Sequence, residues 1–183
     1  MVTILAGVIV AVVAIGGATC LYLRGREEKV VPKLESRTPF VIEDRDAKSV
    51  TISTVIEFRN EGTQSAMIVD AICKPQLPFE QYDGMAVRGK AERLGVPRED
   101  DYFEALVIEH QQSAKLVAKV TLTARKNLSL EAAVAHMVDF PIEFIYRHVG
   151  RNEMRYSVAR IFLTAEELAK LVGVKLAKVE GRK

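Results

Sequence analysis

Residues 50–59 read VTISTVIEFR, and this stretch decides the fold class. Apolar side chains and one Thr occupy every second position: Val50, Ile52, Thr54, Ile56 and Phe58. A period of two indicates a β-strand with one buried face, because successive side chains point to opposite sides of a sheet. Asn60 to Thr63 (NEGT) then supply residue types that favour a turn. The stretch therefore predicts a long strand that is half buried.

Comparable patterns recur along the chain as far as residue 163. The other candidate strands are residues 40–43, 66–73, 102–109, 115–123, 138–146 and 154–162. In the last of them the alternating set is Met154, Tyr156, Val158, Arg160 and Phe162. No long helix lies between these strands, which excludes a parallel α/β sheet because its crossovers need helices. About seven short strands predict a mainly β fold, an antiparallel two-sheet sandwich over residues 39–163.

This pattern resembles an immunoglobulin-like or fibronectin type III-like β-sandwich. The Asn60-Glu61-Gly62 turn after a long strand is also similar to the sandwich domains of late-embryogenesis-abundant and related bacterial envelope proteins. The chain departs from antibody-type domains because it has no Trp and because Cys73 has no second cysteine within the sandwich. The resemblance implies a fold and names no reaction.

The first 23 residues contain no charged side chain. As a helix, residues 2–23 would extend ~33 Å at ~1.5 Å per residue, which matches a ~30 Å hydrocarbon core. No Lys or Arg precedes the run, which argues against a cleaved signal peptide. The sequence therefore predicts a single N-terminal transmembrane helix that anchors the chain through residues 1–23.

Basic residues follow this helix and predict its orientation. Arg24, Arg26 and Lys29 would be kept on the cytoplasmic side, giving an N-out, C-in topology; the extracytoplasmic side is the alternative. Residues 24–38 mix charges of both signs without periodicity and are interpreted as a charged stalk.

Small residues line one face of the predicted anchor. Gly7, Ala11, Ala14 and Ala18 are spaced by four, three and four positions, so they share a helix face that a second helix could approach closely. Gly and Ala are common in membrane helices, so the same pattern also fits a helix without a partner.

Three segments depart from the strand pattern. Residues 74–101 are too long for a tight connection, and their middle, residues 85–94, could form a short helix. Residues 127–137 predict a helical turn between strands. In the segment 164–183, Thr164 and Glu167 form a capping box that starts a short C-terminal helix. This helix either packs against the sandwich or docks on a partner or membrane surface.

No catalytic, cofactor or metal site is predicted. His110, His136 and His148 are dispersed, and HExxH, GxSxG and CxxC spacings are absent. By alternation, His148 is interpreted as a packed histidine. The acidic runs at 43–46 and 99–101 lack the spacing of a calcium loop and indicate solvated turns. The 26 basic and 24 acidic residues almost cancel, which argues against nucleic-acid binding.

These features predict a membrane-tethered, non-catalytic binding or scaffolding module whose sandwich recruits a protein partner. Its expected partners are the lipid bilayer and either another protein or a second copy. The alternative is an accessory subunit of a larger membrane complex, held by the transmembrane helix. A membrane-anchored hydrolase is a third hypothesis, which needs His110 or His148 within ~3 Å of a carboxylate in a cleft.

Overall fold

The computed structural model describes residues 2–24, 27–98, 102–151 and 153–177, with side chains omitted at 2–5 and 23–24. The helices are α1 (Val2–Arg24), α2 (Leu130–Ala135) and α3 (Ala165–Val172), and a 3₁₀ turn covers Leu34–Ser36. The strands are β1 (Val30–Lys33), β2 (Val41–Arg45), β3 (Ser49–Asn60), β4 (Ala66–Pro75), β5 (Met85–Arg93), β6 (Leu106–Ile108), β7 (Ser113–Ala124), β8 (Phe140–Val149) and β9 (Arg155–Leu163).

These strands form two antiparallel sheets. In sheet A, β1 and β2 pair with opposite ends of β3. β7 pairs with the other side of β3, and β5 pairs with β7. Sheet B has the order β6-β4-β8-β9. This arrangement corresponds to the A-B-E-D and C-F-G sheets of an immunoglobulin-like sandwich, with β6 added beside β4. The predicted two-sheet sandwich with a short C-terminal helix is confirmed, with nine strands in the described residues.

The core lies between the two sheets, where the alternating side chains of β3 meet those of β8. Val50, Ile52, Ile56 and Phe58 are fully buried, as the period-two pattern predicts. The Phe58 ring lies 5.3 Å from the Phe144 ring and 5.0 Å from that of Tyr146, the latter edge to face. Burial of each large apolar side chain stabilises the fold by ~1.5–3 kcal/mol, so these rings hold the two sheets together.

The turn after β3 joins three segments through one buried amide. The side-chain oxygen of Asn60 accepts hydrogen bonds from the backbone N–H groups of Lys29 (3.2 Å) and Gly62 (3.0 Å). Its side-chain nitrogen donates to the carbonyl groups of Gln64 (2.7 Å) and Ile108 (3.0 Å). The predicted turn therefore also fastens the N-terminal segment and β6 to the sandwich.

Two strands lie where the sequence predicted other structure. β1 falls within residues 24–38, interpreted as a stalk, and Val30 at its start is buried. β5 covers residues for which a short helix was considered; the helix is wrong. Met, Ala, Lys and Glu favour helices, but all nine residues of β5 pair with β7, and this tertiary pairing overrides the local preference.

The two short helices lie in the segments where helical structure was predicted, and α3 begins at the predicted capping box. Ser129 Oγ caps α2 by accepting from Ala132 N–H at 3.2 Å, and Thr164 Oγ1 caps α3 by accepting from Glu167 N–H at 3.1 Å. α3 ends at Gly173, whose φ of 78° is left-handed. Its buried residues are Ala165, Leu168, Ala169 and Val172. The C-terminal helix thus packs into the domain.

The predicted transmembrane anchor requires a correction. No helix in the described part of the chain combines the length and the apolar character needed to cross a membrane. A ~30 Å hydrocarbon core takes about 20 consecutive apolar residues. The uncharged run forms α1, but because this helix does not meet that requirement, the predicted single N-terminal transmembrane helix is wrong.

Candidate protein-binding face

The outward side of sheet B carries the candidate site. Along β8 the side chains of Phe140, Ile142, Phe144, Tyr146 and His148 are buried, so the intervening residues point away from the core. We call the outward residues of β4, β6, β8 and β9 the outer face of sheet B. They are Met67, Asp70, Ile72, Lys74, Val107, Pro141, Glu143, Ile145, Arg147, Val149, Tyr156, Val158, Arg160 and Phe162.

The strand register arranges three apolar rows across this face. The central row is Ile72, Ile145 and Val158, which are direct cross-strand neighbours on β4, β8 and β9. A second row is Val107, Met67 and Val149, and a third is Pro141 and Phe162. Ile72 is 51% exposed, and Val158 and Phe162 are each 56% exposed. Exposed apolar side chains clustered in this way mark interaction surfaces.

Two charged rows separate the apolar rows. In one, Lys74, Glu143 and Arg160 are neighbours, and Arg160 Nη2 lies 2.6 Å from Glu143 Oε1. The hydrogen bond from Arg160, followed by one from Gln76 Nε2 (2.8 Å), holds the pKa of Glu143 below its ordinary value. Glu143 is therefore ionised at neutral pH and keeps Arg160 in place.

The other charged row leaves a cation without an acid partner. It consists of Asp70, Arg147 and Tyr156, and the Arg147 guanidinium lies 5.7 Å from the centre of the Tyr156 ring. Arg147 forms no ion pair with the residues that the structure describes, and its buried Nε has no hydrogen-bond acceptor there. Across both rows Lys74, Arg147 and Arg160 outnumber Asp70 and Glu143, so the face has an excess of positive charge.

The residues predicted to pack or orient α1 lie far from this set in sequence. Gly7, Ala11, Ala14 and Ala18 lie on α1 and are exposed, and helix association through them stays a prediction. The orientation deduced from Arg24, Arg26 and Lys29 depended on the corrected anchor. Arg26 and the side chain of Arg24 lie outside the described residues, while Lys29 Nζ pairs with Glu61 Oε2 at 3.2 Å.

A second polar cluster lies buried at one end of the sandwich. His148 is 5% exposed and Glu28 is 2% exposed. His148 Nε2 lies 3.1 Å from Ser157 Oγ, but His148 Nδ1 and both Glu28 carboxylate oxygens have no hydrogen-bond partner among the described residues. A catalytic triad needs the base oriented by a hydrogen bond to its acid. His148 is therefore a packed histidine, as predicted, and does not meet the condition set for the hydrolase hypothesis.

Acidification is expected to destabilise the fold through His148. Burial lowers the pKa of His148, the Glu28 carboxylate opposes this, and Arg155 lowers it further. Because the pKa of His148 in the folded protein lies below the unfolded value of ~6.5, protonation favours unfolding. Stability is therefore lost as the pH falls from ~6.5 towards the lower pKa of the folded protein. Urea unfolding at pH 7.5 and at pH 5.5 should show a larger loss for the wild type than for His148→Gln. Equal losses in the two proteins would contradict this account.

Cys73 is expected to resist thiol reagents in the folded protein. It is buried in β4, and burial raises the pKa of its thiol to about 12, which suppresses the reactive thiolate. Cys20 on α1 is exposed. Maleimide at neutral pH should therefore label Cys20 at once and Cys73 only after denaturant is added, as peptide mapping would show. Rapid labelling of Cys73 in a Cys20→Ser variant of confirmed fold would contradict this placement.

The described acidic run at residues 43–46 is held by contacts with other side chains. Within the described ranges, no group of three or more His, Cys, Asp or Glu could hold a metal ion. Glu43 Oε2 instead pairs with Lys119 Nζ at 2.9 Å, and Asp46 accepts a hydrogen bond from Ser49. Residues 99–101 lie outside the described residues.

The fold defines the chain as an immunoglobulin-like β-sandwich. Among solved structures it is similar to the GAE domain of GGA2p from Saccharomyces cerevisiae, with 11% identity over 76% of this chain and 99% of that one and a TM-score of 0.36. It is also similar to the Northeast Structural Genomics Consortium target SoR45, with 11% identity over 75% and 86% and a TM-score of 0.39. The yeast GGA1 GAE domain gives 6% identity over 67% and 97% and a TM-score of 0.33. These similarities are too distant to indicate a function. The chain matches no protein-family model and no curated protein.

Proposed function

We propose that this chain is a non-catalytic protein-binding module that engages its partner through the outer face of sheet B. The observation that carries the proposal is the set of three apolar rows, which leaves Ile72, Val158 and Phe162 more than half exposed. A sheet face that only meets water normally alternates apolar-in with polar-out. Here the outer side of β9 carries Tyr156, Val158 and Phe162 beside Arg160, and this exposed apolar surface is best accounted for by a protein that covers it.

The charge of the face specifies the chemistry of that partner. Its cations outnumber its anions, and the Arg147 side chain lies beside Tyr156 with an Nε that has no hydrogen-bond acceptor among the described residues. Aromatic residues and Arg are enriched at the energetic centres of interfaces. The expected partner therefore presents an apolar surface that carries carboxylates, which would meet the charged rows while its apolar groups meet Ile72, Val158 and Phe162.

Two matched substitutions test this proposal. Val158→Lys places a charge in the central apolar row, while Val41→Lys makes the same change at a similarly exposed residue (53%) of β2 in sheet A. Tagged full-length chains would be crosslinked in their native cells, and co-purifying proteins would be quantified by mass spectrometry. We expect at least one protein that the wild type and Val41→Lys retain equally and that Val158→Lys loses at least tenfold. If every captured protein is retained equally by Val158→Lys, the outer face of sheet B is not the binding surface.

A further inference from the structure

β9 forms a free edge of sheet B. It pairs with β8 along its whole length, from His148↔Arg155 to Phe140↔Leu163, without a shift in register. On its other side no backbone hydrogen bond comes from any residue that the structure describes. A free strand edge presents unpaired N–H and C=O groups and is therefore a template for another strand.

The remaining edges of the sandwich are shorter, interrupted or packed closely against another strand. β6 has three residues, and the edge formed by β1 and β2 is broken by the 3₁₀ turn between them. β5 lies so close to β4 that no side chain fits at Gly89. β9 has nine residues and contains neither Pro nor Gly, so it is the longest regular edge without protection in the described part of the chain.

The position of Pro141 shows which backbone groups of β9 face this edge. The Pro141 carbonyl accepts a hydrogen bond from Gln76 N–H at 2.8 Å, so the backbone polar groups of Pro141 face β4. Its neighbour on β9, Phe162, therefore occupies a non-hydrogen-bonded pair and directs its own N–H and C=O away from β8. Because the register is unshifted, the same holds at every second residue, which places Arg160, Val158 and Tyr156 on the free edge as well. These residues also direct their side chains to the outer face of sheet B.

We infer that β9 binds an extended strand of the partner by sheet extension, which adds this strand beside Tyr156–Phe162 in sheet B. The inference rests on the proposed function and names the form that the partner takes. A strand added ~4.8 Å from β9 would continue each cross-strand row by one side chain. To match these rows, the added strand would place an apolar residue beside Phe162, a carboxylate beside Arg160 and an apolar residue beside Val158. The recognised segment therefore has an Asp or Glu with an apolar residue two positions before it and two positions after it.

A peptide of this pattern provides the direct test. The probe is a nine-residue peptide with a central Asp, Val two positions to either side and Thr elsewhere, and its control is a peptide of equal composition with Asp and both Val residues adjacent. The patterned peptide would be added at up to roughly 1 mM, a concentration that also detects weak binding. We expect amide hydrogen exchange to slow at least fivefold at Val158, Arg160 and Phe162. Ser157, Ala159 and Ile161 should not change, because their amides already pair with β8. Equal protection at both sets of residues, no protection, or equal protection by the control peptide would overturn the inference.

Substitution by proline separates strand addition from simple contact with the face. Val158→Pro removes an N–H that faces the free edge and leaves the β8 ladder complete, which edge strands tolerate. We expect it to weaken peptide binding at least tenfold more than Val158→Thr does, because Val158→Thr keeps the N–H and the side-chain shape. Equal binding by the two variants would overturn the inference, and the exchange pattern of the wild type decides it if Val158→Pro does not fold.

The outcomes also distinguish this inference from the proposed function. If Val158→Lys loses the cellular partner and Val158→Pro retains it, the face binds a partner and sheet extension is wrong. If Val158→Lys retains the partner, the proposed function fails. Protection of the same amides that rises with protein concentration and needs no peptide would instead show that two copies pair through β9, which overturns the assignment to a partner strand.

Discussion

Replacing Phe58 with Ala is expected to lower the free energy of unfolding by about 3–5 kcal/mol, the usual cost of removing a buried aromatic ring. Phe58 is fully buried in β3, and its ring contacts those of Phe144 and Tyr146 from the opposite sheet. The truncation leaves a cavity between the two sheets, which the paired strands on both sides keep from collapsing. Urea unfolding of the full chain, monitored by circular dichroism, would measure the change. We expect a lower urea concentration at the midpoint and an unchanged dependence of the free energy of unfolding on urea concentration.

Phe162→Ala is the matched control for this change. It removes the same ring from β9, where the side chain lies on the outer face of sheet B and is more than half exposed. A surface substitution of this kind is expected to change the free energy of unfolding by about 0.5 kcal/mol. If the two variants lost equal stability, or if Phe58→Ala cost under about 1 kcal/mol, the assignment of buried and exposed faces would be wrong.

The strands that could be predicted from the sequence are those with one apolar face. The alternating sets are Val50, Ile52, Thr54, Ile56 and Phe58 in β3 and Leu116, Ala118, Val120 and Leu122 in β7, and all of these side chains are buried. One buried face leaves a period of two in the sequence, so a single chain is enough to detect it. β1 gives no such signal, because it has four residues and contains Pro32, and only its pairing with the end of β3 makes it a strand.

The candidate site could not be predicted because β9 carries large apolar residues on both faces. The sequence favoured the set Met154, Tyr156, Val158, Arg160 and Phe162 as its alternating residues. The structure instead buries Ala159, Ile161 and Leu163 and exposes Tyr156, Val158 and Phe162. A shift of one residue exchanges the faces of a strand, and an apolar pair such as Ile161-Phe162 does not fix which side meets the core. The free edge is also beyond local sequence, since it depends on which distant strand pairs with β8.

Gly89→Ala is expected to destabilise the fold by about 3 kcal/mol, at the upper end of overpacking substitutions. Gly89 lies in β5, where this strand passes directly over the end of β4. A Cβ at this position would overlap the backbone carbonyl oxygen of Cys73 and come within 2.6 Å of Pro75 Cδ. Neither obstacle is the end of a flexible side chain, so the two strands would have to separate. This separation would strain the pairing of β5 with β7, because Gly89 lies opposite Val120 in the middle of that ladder.

Gly17→Ala provides the control for an added methyl group, because the space around Gly17 on α1 is open and its helical backbone suits Ala. Thermal unfolding of both variants would measure the difference, and only Gly89→Ala should lower the melting temperature clearly. Amide exchange would locate the damage, since we expect faster exchange in β5 and at the end of β4 while β8 and β9 stay protected. A Gly89→Ala protein as stable as Gly17→Ala would contradict the close approach of the two strands. Loss of protection in β9 alone would contradict the position of Gly89, because β9 lies at the far edge of the other sheet.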